Sequence, residues 1–545
     1  MWRDIFLCKK YLKNHWMGLT IFYLLSIISW LISITIPLIT GKYIDTLINI
    51  NVNMIYTYTR ILVIMVVLKI FISYFKNLID VKIRNKIIFE FNYDVLEYVK
   101  KVEIEYFHNV NTTYLNQRIN MDCSSIISFV FDNILNIFIN ILTVIFITIL
   151  IIKLNYKISI FLILLIPINI VIYLMFKNKI YSTSYEMNEF QNKFFSYMND
   201  QLFNVRLIKI NSWYKAMGEF LKEKFNVLMK YVLGFNRVQI VFNQCRTVVV
   251  DISTVILFFV GGFEVINSEL TVGGFAIINN YFLMLLNSTS YFLTLGQAYQ
   301  NMLVSYSRLK ELLALKQDFN GSHQLNHIKS ITLENLQFKY KNSNTLIADI
   351  SYNFKYGNIY CILGENGSGK SSLIDLILGL YSDYSGEIYY NDINIRKIDM
   401  EFAREKMLGI TQQEPRLINS TLIDNLTYSL SEFSDEDLKF YCKSLNMYDY
   451  IMNLPEKYNF IVSNDSCNLS GGEKQKISII HNLIKNPDVL IFDEPTSAMD
   501  NASIKQFKDI LIKLKSNKII IIITHEIGVL DIADKIINLP FGGNN

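Results

Sequence analysis

The sequence predicts a polytopic α-helical membrane domain, six transmembrane helices with long cytoplasmic extensions, followed by an α/β phosphate-loop (P-loop) NTPase domain. Three observations predict it. Apolar runs long enough to cross a bilayer, about 20 residues each, recur through the first half of the chain and then stop. The composition agrees: of 545 residues, 51% are apolar and 18% charged, where a soluble protein carries about a quarter charged. In the second half, Gly364-Glu365-Asn366-Gly367-Ser368-Gly369-Lys370-Ser371-Ser372 fits the phosphate-loop pattern G-x-x-x-x-G-K-[ST].

The charge balance, +4, is too small to point to nucleic acid, and no nucleic-acid partner is expected. Cys8, Cys123, Cys245, Cys361, Cys442 and Cys467 are scattered without a CxxC pair, which suggests neither a zinc site nor a disulfide framework. Arg3, Lys9, Lys10 and Lys13 precede an apolar run, Met17 to Thr40, that is long for a signal-peptide core and lacks a small-residue cleavage site. A retained first span is therefore expected. With only Met1 to Trp16 ahead of it, no peptidase domain is expected there.

The spans fall near 17–43, 55–79, 125–152, 157–178, 241–265 and 272–296. Lys153 to Lys157 makes a tight hairpin between the third and fourth. Two longer polar stretches hold most of the basic residues: Lys82, Arg84, Lys86, Lys100, Lys101 and Arg118, then Lys193, Arg206, Lys209, Lys215, Lys222 and Lys224. By the positive-inside rule these stretches and both termini lie in the cytoplasm, with the chain in the cell (plasma) membrane. Periodic Ile88, Phe91, Val95 and Val99 extend the helices beyond the bilayer, to turns near 105–113 and 209–218 suited to contacting a cytoplasmic domain. Within the spans, Asn133, Asn136 and Asn140 share a face, as do Asn243, Thr247 and Asp251, and Asn280 and Asn287. Such residues either line a pathway or bond between helices. Asp251 is the costliest of them to bury.

The membrane domain is read as 1–313, the linker as 314–327 and the α/β domain as 328–545. The phosphate loop sits between an apolar run, Ile359 to Leu363, and an expected helix, Leu373 to Leu380. Glycines let backbone N–H groups turn in on phosphate oxygens, and the helix start adds partial positive charge. Lys370 then reaches the β- and γ-phosphates and the Ser371 hydroxyl ligates Mg²⁺. The run Val489 to Phe492 ends in Asp493-Glu494, which suits a carboxylate on Mg²⁺ and one that polarises the attacking water. Ile519 to Ile523 ends in Thr524-His525, placing a histidine to sense the γ-phosphate. Ser470-Gly471-Gly472-Glu473 opens a further helix and makes a second anion site. The economical account is that each of two copies caps the nucleotide held by the other.

With these motifs in this order, the chain resembles the ATP-binding cassette (ABC) exporter half-transporters over essentially its full length. The resemblance implies an ABC-type NTPase domain using ATP and Mg²⁺. By position, Tyr340 matches the aromatic that stacks on adenine, and Gly364 to Ser372 the Walker A loop. In that loop Gly364, Asn366, Gly367, Ser368, Gly369, Lys370, Ser371 and Ser372 are expected on the nucleotide. Gln413 matches the glutamine that contacts Mg²⁺ and the membrane domain. Ser470, Gly471, Gly472 and Glu473 match the signature, Asp493-Glu494 the Walker B end, Ser497 to Asp500 the D-loop and His525 the switch histidine. The resemblance thus assigns Glu494, His525 and Gln413 to catalysis, Ser371, Gln413 and Asp493 to the metal, and Asp500 to the nucleotide site. Phe107, Leu115, Arg118 and Asp122 resemble the first coupling region, and Thr271 to Gly274 the start of the sixth helix. Glu473 stands where glutamine is commoner, and Ile461 to Ser466 lacks the usual glycines and glutamates.

The family implies a second half-transporter as partner, most simply an identical copy, with a heterodimer as the alternative. The expected cargo is amphipathic, a peptide or natural product such as a bacteriocin. Multidrug or lipid export, an exporter-fold importer and an ATP-gated channel or regulator are the other readings.

Overall fold

The computed structural model describes residues 9–539 except 109, 111, 341–346, 366, 431, 463–468, 498 and 526. It divides into two compact units. The first takes the chain to Lys100 and then Val110–Leu315; the second takes Lys101–Asn109 and the chain from Lys316 onward.

The first unit is helical. A short α1 (Lys9–Asn14) leads into α2 (Trp16–Ile48) and α3 (Val52–Lys100). After α4 (Ile104–His108), which belongs to the second unit, come α5 (Thr112–Leu154), α6 (Tyr156–Phe203), the short α7 (Val205–Ile210), α8 (Tyr214–Ile266) and α9 (Val272–Leu313). Six are long, and α2, α3, α5 and α8 contain windows apolar enough to cross a membrane. The remaining two, α6 and α9, run for 48 and 42 residues, more than twice what a span needs. The extensions expected from periodicity are present, but the buried stripe along α3 beyond its apolar part is Ile83, Ile87, Phe91, Val95 and Val99, with the expected Ile88 half-buried beside it. Packing pairs α5 with α9, α6 with α8 and α2 with α3.

The helix ends are fixed by polar side chains. Asn155 caps α6 by accepting from the Ile158 N–H at 3.2 Å, and its amide donates to Glu264 of α8 at 2.7 Å. Lys157 joins the same carboxylate at 2.9 Å, tying the hairpin to the end of α8. Thr271 caps α9, and Asp45 of α2 accepts from the Gly273 N–H at 2.8 Å. A side chain at Gly273 would collide with the Gly41 carbonyl, so these two helices cross on glycine.

The polar span residues resolve differently from one another. Asn133 is buried, donates to the Phe129 carbonyl of its own helix and accepts from Tyr291 of α9 at 3.0 Å. Asn136, Asn140 and Asn280 each donate to the carbonyl four residues back. Asp251 is exposed in the single chain rather than buried.

The second unit is α/β. An antiparallel sheet, in the order β2-β1-β4-β5, is built from β1 (Ser330–Phe338), β2 (Ile347–Lys355), β4 (Ser385–Tyr390) and β5 (Ile393–Asn394). The main sheet is parallel, in the order β11-β3-β10-β9-β6. It uses β3 (Asn358–Leu363), β6 (Leu408–Thr411), β9 (Val489–Asp493), β10 (Ile519–Ile523) and β11 (Lys535–Asn538). A small ribbon pairs β7 (Ser420–Thr421) with β8 (Ile461–Val462). The helices are α10 (Lys370–Ile377), α11 (Met400–Lys406), α12 (Leu422–Thr427), α13 (Asp435–Ser444), α14 (Tyr448–Asn453), α15 (Gly471–Lys485) and α16 (Asn501–Leu514). All five isoleucines of β10 are fully buried, as a central parallel strand covered on both faces requires. Helix α10 begins three residues before the expected Leu373, because the phosphate loop itself turns into it at Gly369.

Residues Lys101–Asn109 join this unit through polar contacts. Lys101 donates to Glu401 at 2.9 Å, Glu103 pairs with Lys316 at 2.9 Å, and His108 meets the Tyr381 hydroxyl at 3.1 Å. The described part of the first expected contact turn therefore packs on the α/β unit. The second expected turn leaves Ile210 exposed, at 70%.

Candidate nucleotide-hydrolysis site

Register in the parallel sheet assembles the site. Ile523, the last residue of β10, lies opposite Ile362 of β3 on one side and Asp493 of β9 on the other. The phosphate loop, Asp493-Glu494 and Thr524-His525 thus leave the sheet at the same carboxyl end, where α/β sheets bind their ligands.

In the phosphate loop, Gly367 and Gly369 have φ of 84° and 89°, the left-handed region that favours glycine. Gly369 stands at the start of α10 with no side-chain cap, so the first N–H groups of the helix remain available to an anion. Lys370 is buried and donates to the Gly364 and Glu365 carbonyls at 2.7 and 2.9 Å. Burial lowers the proton affinity of its amine, while Glu494 and Asp493 oppose that change. Ser371 donates to Asp493 at 3.2 Å. The Asp493 carboxyl is raised above the ordinary range chiefly by burial. Ser372 is buried within 2.9 Å of the Tyr340 hydroxyl, so Tyr340 is anchored beside α10. Asn366 lies outside the described residues.

Glu494 is the centre of convergence. Gln413 donates to its carboxylate at 2.6 Å and the His525 imidazole stands 3.4 Å away. Its backbone is held as well: φ is 47°, a strained value for a non-glycine residue. Gln475 donates to its carbonyl at 2.7 Å, Ser497 at 3.1 Å, and its N–H reaches the Ile523 carbonyl at 2.9 Å. The holding roles of Gln475 and Ser497 were not legible in the sequence; the signal was only their nearness to the Ser-Gly-Gly turn and to Asp493-Glu494.

Ser470, Gly471, Gly472 and Glu473 sit apart. Among the described residues, no hydrogen bond or ion pair joins them to the phosphate loop of the same chain. Ser470 caps α15 by accepting from the Glu473 N–H, while the Glu473 carboxylate accepts from the Ser470 N–H at 2.6 Å, a capping box. Lys476 of the same helix pairs with Asp500 at 3.0 Å. Asp500 caps α16, and its carboxyl is held well below the usual range, first by the Ser503 hydroxyl and next by Lys476. Of the segment that departs from the family pattern, 463–466 falls outside the described residues, as does Ala498 of the D-loop.

A nucleotide with Mg²⁺ fits this donor set. Among the described residues, the Ser368 hydroxyl is buried without a hydrogen-bond partner, inside the loop that would cradle phosphate. One hydroxyl (Ser371) and one carboxylate (Asp493) are what Mg²⁺ takes from protein when phosphates and water complete its shell. No group of three or more His, Cys, Asp or Glu able to hold a metal occurs among the described residues.

A helical membrane domain fused to a phosphate-loop domain of this design defines a class, the membrane transport ATPases. Comparison with known proteins gives the family. Residues 19–289 match the profile "ABC transporter transmembrane region" and residues 347–497 the profile "ABC transporter". The chain belongs to the ABC transporter family, and it spans only about half to two thirds of the length of the first two relatives it matches. It is 28% identical over 397 residues to the beta-(1→2)glucan export ATP-binding/permease protein NdvA of Bartonella henselae, covering 72% of this chain and 66% of the relative. It is 29% identical over 335 residues to the alpha-hemolysin translocation ATP-binding protein HlyB of Escherichia coli, covering 61% and 46%. It is 24% identical over 474 residues to the ATP-dependent lipid A-core flippase of Syntrophus aciditrophicus, covering 86% and 78%. The fold is that of a bacterial Atm1-family ABC exporter solved with ATP bound: TM-score 0.87, 19% identity, 97% of this chain and 95% of that one.

Proposed function

We propose that two copies of the chain form an exporter in the cell membrane, with termini and ATPase domains in the cytoplasm, driving an amphipathic cargo outward. The observation that carries this is the convergence of Gln413 and His525 on Glu494, beside Ser371 and Asp493. Mg²⁺, when bound, would neutralise phosphate charge. Lys370 and the N–H groups of α10 would hold the phosphates, and Ser371 and Asp493 would hold the metal. Glu494 orients and deprotonates the attacking water, Gln413 and His525 fix its carboxylate, and Tyr340 bears on the adenine. Ser470 to Glu473 of one copy, with Asp500 nearby, closes on the nucleotide of the other. ATP acts by differential affinity for that closed pair, and hydrolysis removes the bias. Export, rather than import, agrees with the relatives, which are named for glucan export, hemolysin translocation and lipid flipping. For cargo we favour a peptide or peptide-derived natural product.

The test is Glu494→Gln in reconstituted vesicles. ATP binding should be retained, and turnover should fall at least about a hundredfold, as loss of a general base requires. Turnover near the wild-type rate would overturn the assignment. ATP-dependent accumulation of cargo inside inside-out vesicles fixes the direction.

A further inference from the structure

The first unit contains a recess that nothing above assigns. It opens between α5, α6 and α9 beyond their apolar parts, as two adjoining cavities of about 210 and 500 Å³. The larger is already of the size that holds small ligands, about 300–1,000 Å³. The α6 wall of the smaller cavity is one helical face, Tyr181, Ser184, Tyr185, Asn188, Gln191 and Asn192 at i, i+3, i+4, i+7, i+10 and i+11, and the larger cavity shares Tyr181, Tyr185 and Asn188 and adds Glu189. The opposite face of the same helix is aromatic and packed on α8, where Phe190 stacks on Tyr231 at 3.8 Å and Phe194 meets Phe225. A helix surface turned toward its neighbours is ordinarily the apolar one. Here α6 spends one face on packing and keeps hydroxyls and carboxamides for the recess.

Each charge of the recess already has a partner, Glu189 of α6 pairing with Lys193 at 3.4 Å. Arg308 pairs with buried Asp122 at 3.3 Å, and Arg118 pairs with Glu311 at 3.1 Å and donates to the Arg308 carbonyl. Neither an anion nor a cation is favoured there. Aliphatic lining is confined to Met121, Leu303 and Val304, too little for an acyl chain. What remains is tyrosine and serine hydroxyl, and carboxamide: Gln117 from α5, Asn188, Gln191 and Asn192 from α6, and Gln300 and Asn301 from α9. Of these, Asn301 accepts from Ser184 at 3.3 Å. Gln117, Asn188, Gln191 and Asn192 make no side-chain hydrogen bond among the described residues. A carboxamide presents a donor and an acceptor in one plane, which matches a peptide group at two points.

We infer that this recess is a cargo subsite for an extended, uncharged peptide segment, gripped through its backbone by the carboxamides of α6. The inference rests on the transport reading above and gives that reading its substrate class.

The experiment measures equilibrium binding of a tritium-labelled, end-capped Gly-Ser-Asn repeat octapeptide to the full chain in nanodiscs, without ATP. The competitors are a neutral oligosaccharide of similar mass and the same peptide with Asp in place of Asn. The neutral peptide should bind, with each competitor about tenfold weaker or more, the scale of one or two lost hydrogen bonds. Asn188→Leu with Gln191→Leu should weaken peptide binding by at least about tenfold. The carboxamide exchange Asn188→Gln with Gln191→Asn should retain most of it, and Glu186→Gln, on the packed side of α6, should bind as wild type. Equal binding by the leucine variant overturns the inference, as does equal loss in the carboxamide exchange or equally tight oligosaccharide binding. ATP-driven accumulation in vesicles is read separately, so a failed transport reading is not mistaken for an empty subsite.

Discussion

Helices α10 and α15 begin in the same way in sequence, at a Ser/Gly turn, and end up as opposites. Helix α10 starts at Gly369 in a left-handed conformation with no side-chain cap, and its flanking Lys370 adds a cation. Helix α15 starts at Ser470 and closes its own end with the Glu473 carboxylate. A helix start has four unsatisfied N–H groups and the positive end of the macrodipole. At α10 these are left for a ligand; at α15 the chain supplies its own anion. Two turns that look equally suited to phosphate therefore differ in how much of the site is still unspent. The substitutions below probe that difference.

The largest effect is expected at the open end. Lys370→Ala removes a charge-assisted contact to phosphate worth about 3 kcal/mol, so affinity for an ATP analogue should fall on the order of a hundredfold. Unchanged affinity would mean that the N–H groups of α10 suffice alone. Gly369→Ala keeps every donor but forces a side chain into φ 89°. The strain is about 1–3 kcal/mol, so binding measured in the same way should weaken by roughly tenfold. A normal affinity would show that the loop relaxes when filled. At the closed end, Ser470→Ala costs a cap, about 1 kcal/mol. The ATP concentration for half-maximal turnover should rise roughly fivefold, while analogue binding at the phosphate loop stays put.

Much of this was legible in the chain, for reasons that are local. Six apolar runs became six long helices, because span length and loop charge are written residue by residue. The five isoleucines of β10 announced a buried parallel strand, and G-x-x-x-x-G-K-[ST] a phosphate loop, because both depend on neighbours in sequence. What escaped depends on distant partners. The three asparagines of the third span share a face on paper, yet among the described residues only Asn133 bonds across to α9. Asp132, next to it, pairs with Arg84 of α3 at 2.6 Å, a partner that lies 48 residues away in sequence. The polar face of α6 was hidden similarly: a run of Tyr, Ser, Asn and Gln gains meaning only once the aromatic face is seen to be occupied by α8. Glu473 was readable as a departure from the family pattern, but its engagement with Ser470 was not.

Glu473 is also where the smallest effect separates the two helix starts most sharply. Its carboxylate accepts from the Ser470 N–H at 2.6 Å and from the Ser470 hydroxyl at 2.9 Å, so it sits on the positive end of α15. In the proposed dimer the phosphates of the partner's nucleotide must approach that same end, and they meet a negative charge already in place. Glu473→Gln keeps an acceptor for the capping box, which glutamine serves as well as glutamate, and removes the charge alone. One like charge at a helix start is worth about 0.5 kcal/mol, so half-maximal turnover should need roughly two- to threefold less ATP. The gain should shrink as salt is raised, because screening weakens the repulsion being relieved. Glu473→Ala removes charge and cap together, and the lost cap should cancel the gain. A Gln variant that needs more ATP than wild type, or whose gain ignores salt, would mean that the carboxylate faces no phosphate and serves α15 only as its cap.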